Sequence, residues 1–337
     1  VLLAIFCCLP WCCDSLKIPG PIQGILENLE ATSTPKQNAA ATQQKDPTEA
    51  VMERLNITKA IKPVPFSARA QFLPQLALAS FPAVLRLGSG VFGNQYEFGW
   101  TRKRPRYYTI GSIGDWQTEE SMVQGRLEQR EPLVIYEFEG CPFCRRVREA
   151  VSILGLTVTY LPCPKEGRRY RSEIKNQYGQ KATFPFLTDP NTGASMFEST
   201  EIVTYLFKTY GTGEIPKQLL DDTGPVLAGI GLLLAGGRGN SWRPSNPPPL
   251  PITLWAYEGS PFCKLVRNVL CELEIPHTQI STPRGSSNRQ RMFETYGRFQ
   301  VPYLLDPNTG VALWESEVII EYLEKEYGVA ASPVKYL

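Results

Sequence analysis

Residues 139–147 read Glu-Gly-Cys-Pro-Phe-Cys-Arg-Arg-Val, directly after the apolar run Leu-Val-Ile-Tyr-Glu-Phe at 133–138 and at the start of an apolar-periodic run. The pattern predicts a strand that delivers two cysteines to the first turn of a helix. Pro142 suits that turn, because its ring holds φ near the helical value and its missing N–H would have no partner there. Cys141 is therefore expected at the N-cap, where backbone N–H groups and the helix dipole favour a thiolate.

The cysteine pair Cys141 and Cys144 has three interpretations. The two lie one helical turn apart, within reach to form or resolve a disulfide. The same spacing supplies half of a zinc site, for which Cys163 or His277 would be further ligands. Two buried thiols without a chemical role are the third interpretation. The preceding strand and the proline between the cysteines favour redox chemistry, and no metal is expected. Three arginines are expected to add positive charge near the thiolate: Arg145, Arg146 and Arg148.

The composition is that of a globular protein with room for two domains and a tail. Of 337 residues, 42% are hydrophobic and 20% are charged, and the net charge of +2 gives no reason to expect nucleic acid as a partner. The basic run 102–106 is interpreted as a solvated loop, with a membrane surface or an acidic partner as the alternative. Nine cysteines are too few for a disulfide scaffold at this length and indicate a reducing compartment.

The first 130 residues carry targeting-like and apolar segments. Residues 1–48 combine an apolar stretch with a polar, low-complexity tail, a combination that suits import into a plastid. Residues 49–130 form an N-terminal extension that is expected to be largely irregular. Within it, the apolar stretch 71–87 contains Pro74 and Pro82, so it predicts a packed or interfacial strap rather than a transmembrane helix.

From residue 131 onward the chain repeats itself. CPFC at 141–144 corresponds to SPFC at 260–263, and the sequence DPNTG occurs at both 189–193 and 306–310. The repeat defines two modules, 131–211 and 251–328, followed by a tail at 329–337. Residues 212–250 join the modules through a second apolar strap and a Pro-rich linker, which is expected to hold the modules at a set distance.

Each module predicts the element order β-α-β-α-β-β-α. Pro and Gly of DPNTG suit a turn between two antiparallel strands, and the apolar stripe from Ile202 to Tyr210 predicts a final helix that Gly211 ends. A β-α-β crossover followed by a hairpin and a helix is a thioredoxin-type layer. The predicted fold class is α/β with two tandem thioredoxin-like domains.

Each module resembles a glutaredoxin or the N-terminal domain of a glutathione transferase. The pair, with CPFC, SPFC and the doubled DPNTG, resembles the plastid thioredoxin-superfamily proteins with two such domains. The resemblance implies glutathione as cofactor. It also implies a cis-proline that presents backbone groups to the cysteinyl part of glutathione, and a Glu-Ser pair that holds its γ-glutamyl end. The implied positions are Phe184, Pro185, Glu198 and Ser199 in the first module and Val301, Pro302, Glu315 and Ser316 in the second.

Two of these assignments have alternatives in the residues themselves. Ser199 also suits the N-cap of its own helix. Ser260, which stands where the first module has Cys141, is a good N-cap before Pro261, so the second module is either structural or donates a hydrogen bond from Ser260 to a glutathione thiolate. Cys263 lies a turn deeper and is not expected to be a strong nucleophile.

Two functions follow from these features. The first is a glutathione-linked thiol-disulfide oxidoreductase of the plastid, with Cys141 and Cys144 as catalytic residues and glutathione or protein disulfides as partners. The second is a non-enzymatic subunit docked on a thylakoid membrane complex such as a photosystem with its antenna. The short segments that follow the modules leave no helical domain in which to build a pocket for a bulky substrate. The expected location is the plastid, in the stroma or peripheral on the thylakoid membrane.

Overall fold

The computed structural model describes residues 46–58, 79–80, 88–125, 127–220 and 238–329. The tail, most of the strap at 71–87 and the apolar part of the connection between the modules lie outside the described residues. No helix in the described ranges is long and apolar enough to cross a membrane.

The first module has the predicted element order. Its seven elements are β4 (Leu133–Glu137), α2 (Pro142–Ile153), β5 (Thr157–Pro162), α3 (Tyr170–Tyr178), β6 (Phe186–Asp189), β7 (Ala194–Met196) and α4 (Ser199–Tyr210). Strands β4 and β5 are parallel, as a strand-helix-strand crossover requires, and β4–β6 and β6–β7 are antiparallel. A short helix α5 (Lys217–Leu220) follows.

The second module repeats this order. Its elements are β8 (Ile252–Ala256), α6 (Pro261–Glu272), β9 (His277–Ser281), α7 (Ser287–Tyr296), β10 (Tyr303–Asp306), β11 (Val311–Trp314) and α8 (Ser316–Tyr327). The α/β fold with two thioredoxin-like regions, predicted from the repeat, is therefore confirmed.

The repeated DPNTG turn forms the same buried polar cluster in both modules. The Asp189 carboxylate accepts hydrogen bonds from the hydroxyls of Tyr205 and Tyr210 at 2.5 and 2.7 Å. Asp306 accepts equivalent bonds from Tyr322 and Tyr327 at 2.7 and 2.5 Å. Buried aspartates need such partners, so this part of the repeat tethers the last helix of each module to its hairpin.

The two modules form one continuous sheet, so strand pairing as well as the linker fixes the distance between them. The strand order is β11-β10-β8-β9-β5-β4-β6-β7, and the central pair β5–β9 is antiparallel. Thr159 lies opposite Thr278, 119 residues later, and their hydroxyls are 2.9 Å apart. An approximate twofold axis therefore passes between these two threonines. The pairing uses the strand edge that each isolated module would leave open.

A buried charge cluster lies between the modules. Arg148 and Glu139 of the first module meet Arg267 and Glu258, their equivalents in the second, and all four side chains are 2% exposed. Arg267 Nη2 is 2.7 Å from Glu258 Oε2, and Arg267 Nε is 3.0 Å from Glu139 Oε2. Each arginine contacts both carboxylates, which keeps these charges paired where water is excluded.

Each module also makes backbone hydrogen bonds to the segment that precedes the other module in the chain. In the N-terminal extension, Val91 O accepts from Arg284 N of the second module at 2.8 Å. In the connection between modules, Asn240 O accepts from Lys165 N, the equivalent of Arg284, at 2.6 Å. Each segment therefore contacts the module that it does not directly precede. The structural repeat thus includes these two segments, which lie N-terminal to the repeat seen in the sequence.

The N-terminal extension contains some regular structure beyond this crossing segment, although most of its described residues lie outside helices and strands, as expected. Helix α1 (Pro47–Arg54) packs on the second module, where Thr48 Oγ1 accepts from Ala312 N at 3.2 Å. Strands β1 (Glu97–Arg102), β2 (Ser112–Ile113) and β3 (Trp116–Ser121) form a separate antiparallel sheet in the order β1-β3-β2. The basic run 102–106 follows β1, and its side chains are exposed, consistent with a solvated loop.

Candidate functional site

Cys141 lies at the N-cap of α2, as predicted. Its backbone is extended, with φ −78° and ψ 124°, and its Sγ accepts a hydrogen bond from Cys144 N at 3.3 Å. On the other side, Sγ lies 3.8 Å from the carbonyl oxygen of Phe184. The residue is 4% exposed. The sulfur therefore sits between the helix N-terminus and the segment expected to hold the cysteinyl part of glutathione.

The surroundings of Cys141 and Cys144 shift the pKa values of the two thiols in opposite directions. A hydrogen bond from the Cys144 thiol, together with the backbone N–H groups of Cys144 and Phe143 and the charge of Arg148, lowers the pKa of Cys141 to about 7 against the opposing effect of burial. Burial raises the pKa of Cys144 well above its usual value, and its hydrogen bond to Cys141 adds to this effect. Cys141 is therefore the more acidic thiol of the pair, and Cys144 remains protonated at neutral pH.

The predicted role of the three arginines near Cys141 needs a correction. Arg145 Nε binds Glu149 at 3.0 Å, and Arg146 Nη1 donates to Thr200 Oγ1 at 2.9 Å. Arg148 lies between the modules but still contributes to the low pKa of Cys141. Arg145 and Arg148 both contact Glu258 of the second module, so their side of α2 is buried between the modules, whereas Arg146 is buried against α4 of the first module.

Both predicted cis-proline sites are cis. The peptide bonds Phe184–Pro185 and Val301–Pro302 have this geometry at equivalent places in the two modules. Each precedes the third strand of its module. The carbonyl of Phe184 consequently lies beside Cys141.

The Glu-Ser pairs mark the start of the last helix in each module. Glu198 has φ +66° and Glu315 has φ +67°, a conformation that L-residues rarely adopt and that clusters at functional sites. The Glu198 carboxylate accepts from Thr183 Oγ1 at 3.3 Å, and that of Glu315 accepts from Gln300 Nε2 at 2.5 Å. The backbone thus holds both carboxylates toward the segment that contains the cis-proline.

Ser199 is not the helix cap. The helix begins at Ser199, and the N-cap position belongs to Glu198, which makes no side-chain capping bond. Glu315 and Ser316 repeat this arrangement. The capping alternative for Ser199 was therefore wrong, because the positive φ of Glu198 moves the start of the helix by one residue.

Arg171 is a residue of the site that the sequence analysis missed. Its guanidinium lies 4.7 Å from the ring centroid of Phe184 and 5.2 Å from that of Phe138, and its Nε donates to Pro164 O at 2.6 Å. Arg289 repeats this arrangement in the second module by donating to Pro283 O at 3.0 Å. The recurrence of an arginine in the second helix of both modules was the available signal.

Glu137, the last residue of β4, is a second missed residue. Its carboxylate contacts Arg148, and it is 4% exposed. Burial raises its pKa to about 7, and the nearby charges of Glu139 and Cys141 act in the same direction. The equivalent residue of the second module is Ala256. The first module, which has the cysteine pair, therefore also has an ionisable side chain at this position, and the second module has neither.

The second module has the same frame without the same chemistry. Ser260 caps α6 by accepting from Cys263 N at 3.3 Å, and Cys263 is fully buried with a raised pKa. Ser260 itself is 4% exposed. The prediction that Cys263 is a poor nucleophile is thus supported by its surroundings.

The N-terminal extension lies against the second module beside its cis-proline segment. The Tyr108 hydroxyl accepts from Arg289 Nη1 at 3.0 Å, and Tyr108 N donates to Gln290 Oε1 at 2.7 Å. The ring of Tyr108 lies 5.1 Å from that of Phe299, two residues before Val301. Arg289, the equivalent of Arg171, therefore donates a hydrogen bond to Tyr108 of the N-terminal extension.

The two side chains considered as further zinc ligands lie in the core. His277 is 2% exposed, its Nδ1 lies 3.2 Å from Ile275 O, and burial lowers its pKa to about 4. Cys163 is fully buried, which raises its pKa. Among the described residues, no group of three or more His, Cys, Asp or Glu side chains is placed to hold a metal ion.

Comparison with known proteins finds similarity in the two modules. Residues 135–214 and 254–331 match the family described as glutathione S-transferase, N-terminal domain. A stretch of 77 residues is 35% identical to the glutathione S-transferase-like protein tpcF of Aspergillus fumigatus and covers 23% of this chain. Another of 79 residues, also 23% of the chain, is 37% identical to glutathione S-transferase GstB of Escherichia coli. These matches span 34% and 38% of the relatives' own lengths. Both modules are thus similar to the N-terminal domain of glutathione S-transferases, and the matches span little more than a third of the curated relatives' length.

Proposed function

We propose that the first module catalyses glutathione-linked thiol-disulfide exchange, with Cys141 as the nucleophile. The observation that carries the proposal is the position of the Cys141 sulfur, at a helix N-cap and 3.8 Å from Phe184 O of the cis-proline segment. Its lowered pKa of about 7 makes a substantial fraction of this sulfur thiolate at neutral pH.

The reaction runs through a mixed disulfide. The Cys141 thiolate attacks a disulfide sulfur, a new S–S bond forms to Cys141, and the departing thiolate takes up a proton. Either Cys144, after losing its proton, or the thiolate of glutathione then attacks the Cys141 sulfur and releases the bound group. The resulting disulfide of Cys141 with Cys144 or with glutathione is then attacked by further glutathione, which restores the Cys141 thiolate and leaves as oxidised glutathione. Overall, two glutathione molecules supply the two electrons that convert one disulfide into two thiols.

Glutathione binding is proposed for the surface that the cis-proline segment and the start of α4 form near Cys141. The backbone at Phe184 would pair with the cysteinyl part of glutathione. The Glu198 carboxylate would accept from its ammonium group, and Ser199 with the free N–H groups of α4 would bind its α-carboxylate. The strained backbone at Glu198 supports this assignment, because such conformations cluster where ligands are held.

A glutathione-coupled disulfide reductase assay with Cys141→Ser tests the proposal. We expect turnover to fall at least a hundredfold, since the hydroxyl of serine is not ionised at neutral pH. Cys263→Ser serves as the matched control and should retain activity, because Cys263 is fully buried. Undiminished turnover in Cys141→Ser would exclude this function.

A second candidate is a non-enzymatic subunit that docks on a membrane complex. Two features of the second module favour it. Ser260 stands in place of Cys141, and Tyr108 of the N-terminal extension accepts a hydrogen bond from Arg289. A module that keeps the fold without the redox pair is suited to a scaffold. Location in a plastid and attachment to a thylakoid photosystem remain predictions. Gentle extraction followed by sedimentation of the native protein tests this candidate, which requires the protein to sediment with membranes or large assemblies.

A further inference from the structure

One face of the small sheet β1-β3-β2 carries exposed apolar side chains along β1 and beside the turn between β2 and β3. Side chains alternate along β1, so Phe98, Trp100 and Arg102 point to the same side. Arg102 pairs with Trp116, and Trp116 pairs with Ile113. Because residues directly opposite in antiparallel strands share a face, all five side chains lie together. We call this set the aromatic face: Phe98, Trp100, Arg102, Ile113 and Trp116.

The aromatic face exposes large apolar side chains to water. Phe98 is 49% exposed, Trp100 and Trp116 are each 52% exposed, and Ile113 is 73% exposed. Further along the same side of β3, Thr118 is buried and bonds to Thr109. Contiguous exposed apolar side chains of this size mark an interaction site in a soluble domain.

The aromatic face ends in a projecting hairpin. Gly114 and Asp115 form the two-residue turn between β2 and β3, and Gly114 has φ +56°. Ile113 and Trp116 flank this turn. Lys103 N donates to Asp115 O at 2.9 Å, which places Lys103 beside the tip. The most exposed apolar side chain therefore stands next to the start of the basic run.

The charge around the tip is mainly positive. Arg102, Lys103 and Arg106 are exposed, and no ion pair to a residue of the described segments engages them. Arg104 is already neutralised by Glu119 at 2.8 Å. Glu120, on the same side of β3 as the aromatic face, is bound by Arg284 at 2.6 Å. Asp115 is the one exposed carboxylate in the turn, so the two unneutralised cations placed beside the tip, Arg102 and Lys103, outweigh it.

We propose that the aromatic face docks on an anionic lipid surface. Tryptophan rings partition to the boundary between lipid headgroups and hydrocarbon, where their apolar body and polar N–H are both satisfied. Cations beside the tip are attracted to anionic headgroups. A projecting hairpin with an isoleucine and a tryptophan suits shallow insertion between headgroups. The proposal does not depend on the thiol chemistry of Cys141, which lies in the first module.

Co-sedimentation of the purified chain with vesicles tests the proposal. The vesicles are pure phosphatidylcholine, or phosphatidylcholine with about a third phosphatidylserine. We expect binding to the anionic vesicles, at least tenfold weaker binding to the neutral ones, and loss of binding at high salt. Trp100→Ala/Trp116→Ala and Arg102→Glu/Lys103→Glu should each reduce binding to the anionic vesicles at least tenfold.

Matched variants elsewhere on the surface separate this face from general adhesion. Leu250→Ala removes a 54% exposed apolar side chain, and Lys208→Glu/Lys217→Glu reverses two exposed cations of the first module. Both should bind anionic vesicles as the unmodified chain does. Disulfide reductase activity and the thermal unfolding midpoint of every variant report whether it is folded.

Three outcomes would overturn the proposal. One is failure of the unmodified chain to sediment with anionic vesicles at low salt. Another is equal loss of binding in the face variants and the matched controls. The third is a dimer by light scattering that Trp100→Ala/Trp116→Ala dissociates, without vesicle binding, which would assign the face to a second copy of the chain.

Discussion

Arg148 of the first module and Glu258 of the second form an ion pair across the module boundary, with Nε 3.1 Å from Oε2. Their equivalents, Arg267 and Glu139, form the reciprocal pair at 3.0 Å. Both arginines belong to helices whose N-termini carry the CPFC and SPFC motifs. The interface between modules is thus built directly on the helix that presents Cys141.

Removing one carboxylate from this cluster should destabilise the protein strongly. Glu258→Gln leaves two buried arginines with less compensating charge, and breaking a buried pair in this way costs about 3–5 kcal/mol of unfolding free energy. Glu321→Gln, which breaks the exposed pair of Glu321 with Lys325, is the control and should cost less than about 1 kcal/mol. Urea denaturation measures both, and equal effects would contradict the inferred importance of the cluster.

The reactivity of Cys141 should follow a pKa near 7. We expect its rate of alkylation by iodoacetamide to rise with pH through a midpoint of about 7. Cys144→Ala removes the first cause of the lowered pKa, the thiol hydrogen bond, so the midpoint should move upward toward the usual thiol range. Mass spectrometry of the labelled peptide identifies the cysteine that reacts. A midpoint that stays in place in Cys144→Ala would show that the helix N-terminus alone sets the acidity.

Glu137 should oppose formation of the Cys141 thiolate. The negative charge of Cys141 raises the pKa of Glu137, and the interaction is mutual, so replacing the carboxylate by an amide removes a repulsion. Glu137→Gln is expected to lower the alkylation midpoint of Cys141. Glu173→Gln, which removes an exposed carboxylate bonded to Tyr136, should leave the midpoint unchanged. A rise in the midpoint of Glu137→Gln would contradict the predicted sign.

Glutathione should bind once per chain, at the first module. The reason is that Tyr108 lies on Arg289 and Phe299 of the second module. Isothermal calorimetry with reduced glutathione is expected to give a stoichiometry of one. Glu198→Ala should weaken binding about tenfold or more, by loss of a charge-assisted contact, while Glu315→Ala should not. A stoichiometry of two, or equal effects of the two substitutions, would show that the extension leaves the second module open.

Much of each module could be predicted from the residues. The N-cap position of Cys141 and the turn at DPNTG depend on short-range chemistry repeated at a fixed spacing, whereas the two cis-prolines were implied by the resemblance to glutaredoxins and glutathione transferases. Arg171 and Glu137 were not predicted. Arg171 reaches the site from another helix, and the burial of Glu137 against Arg148 depends on how the modules pack.

Residue type and periodicity alone establish that there are two modules of one fold and that the CPFC pair occurs in the first module, with SPFC in its place in the second. Those properties follow from periodicity and from the residue type at one position, and both are local. Only the tertiary structure decided that the modules share a sheet, that arginines 145, 146 and 148 are buried, and that Tyr108 lies on the second module. Strand edges and helix faces have the same sequence pattern whether water or another module covers them, so these facts required the assembled chain.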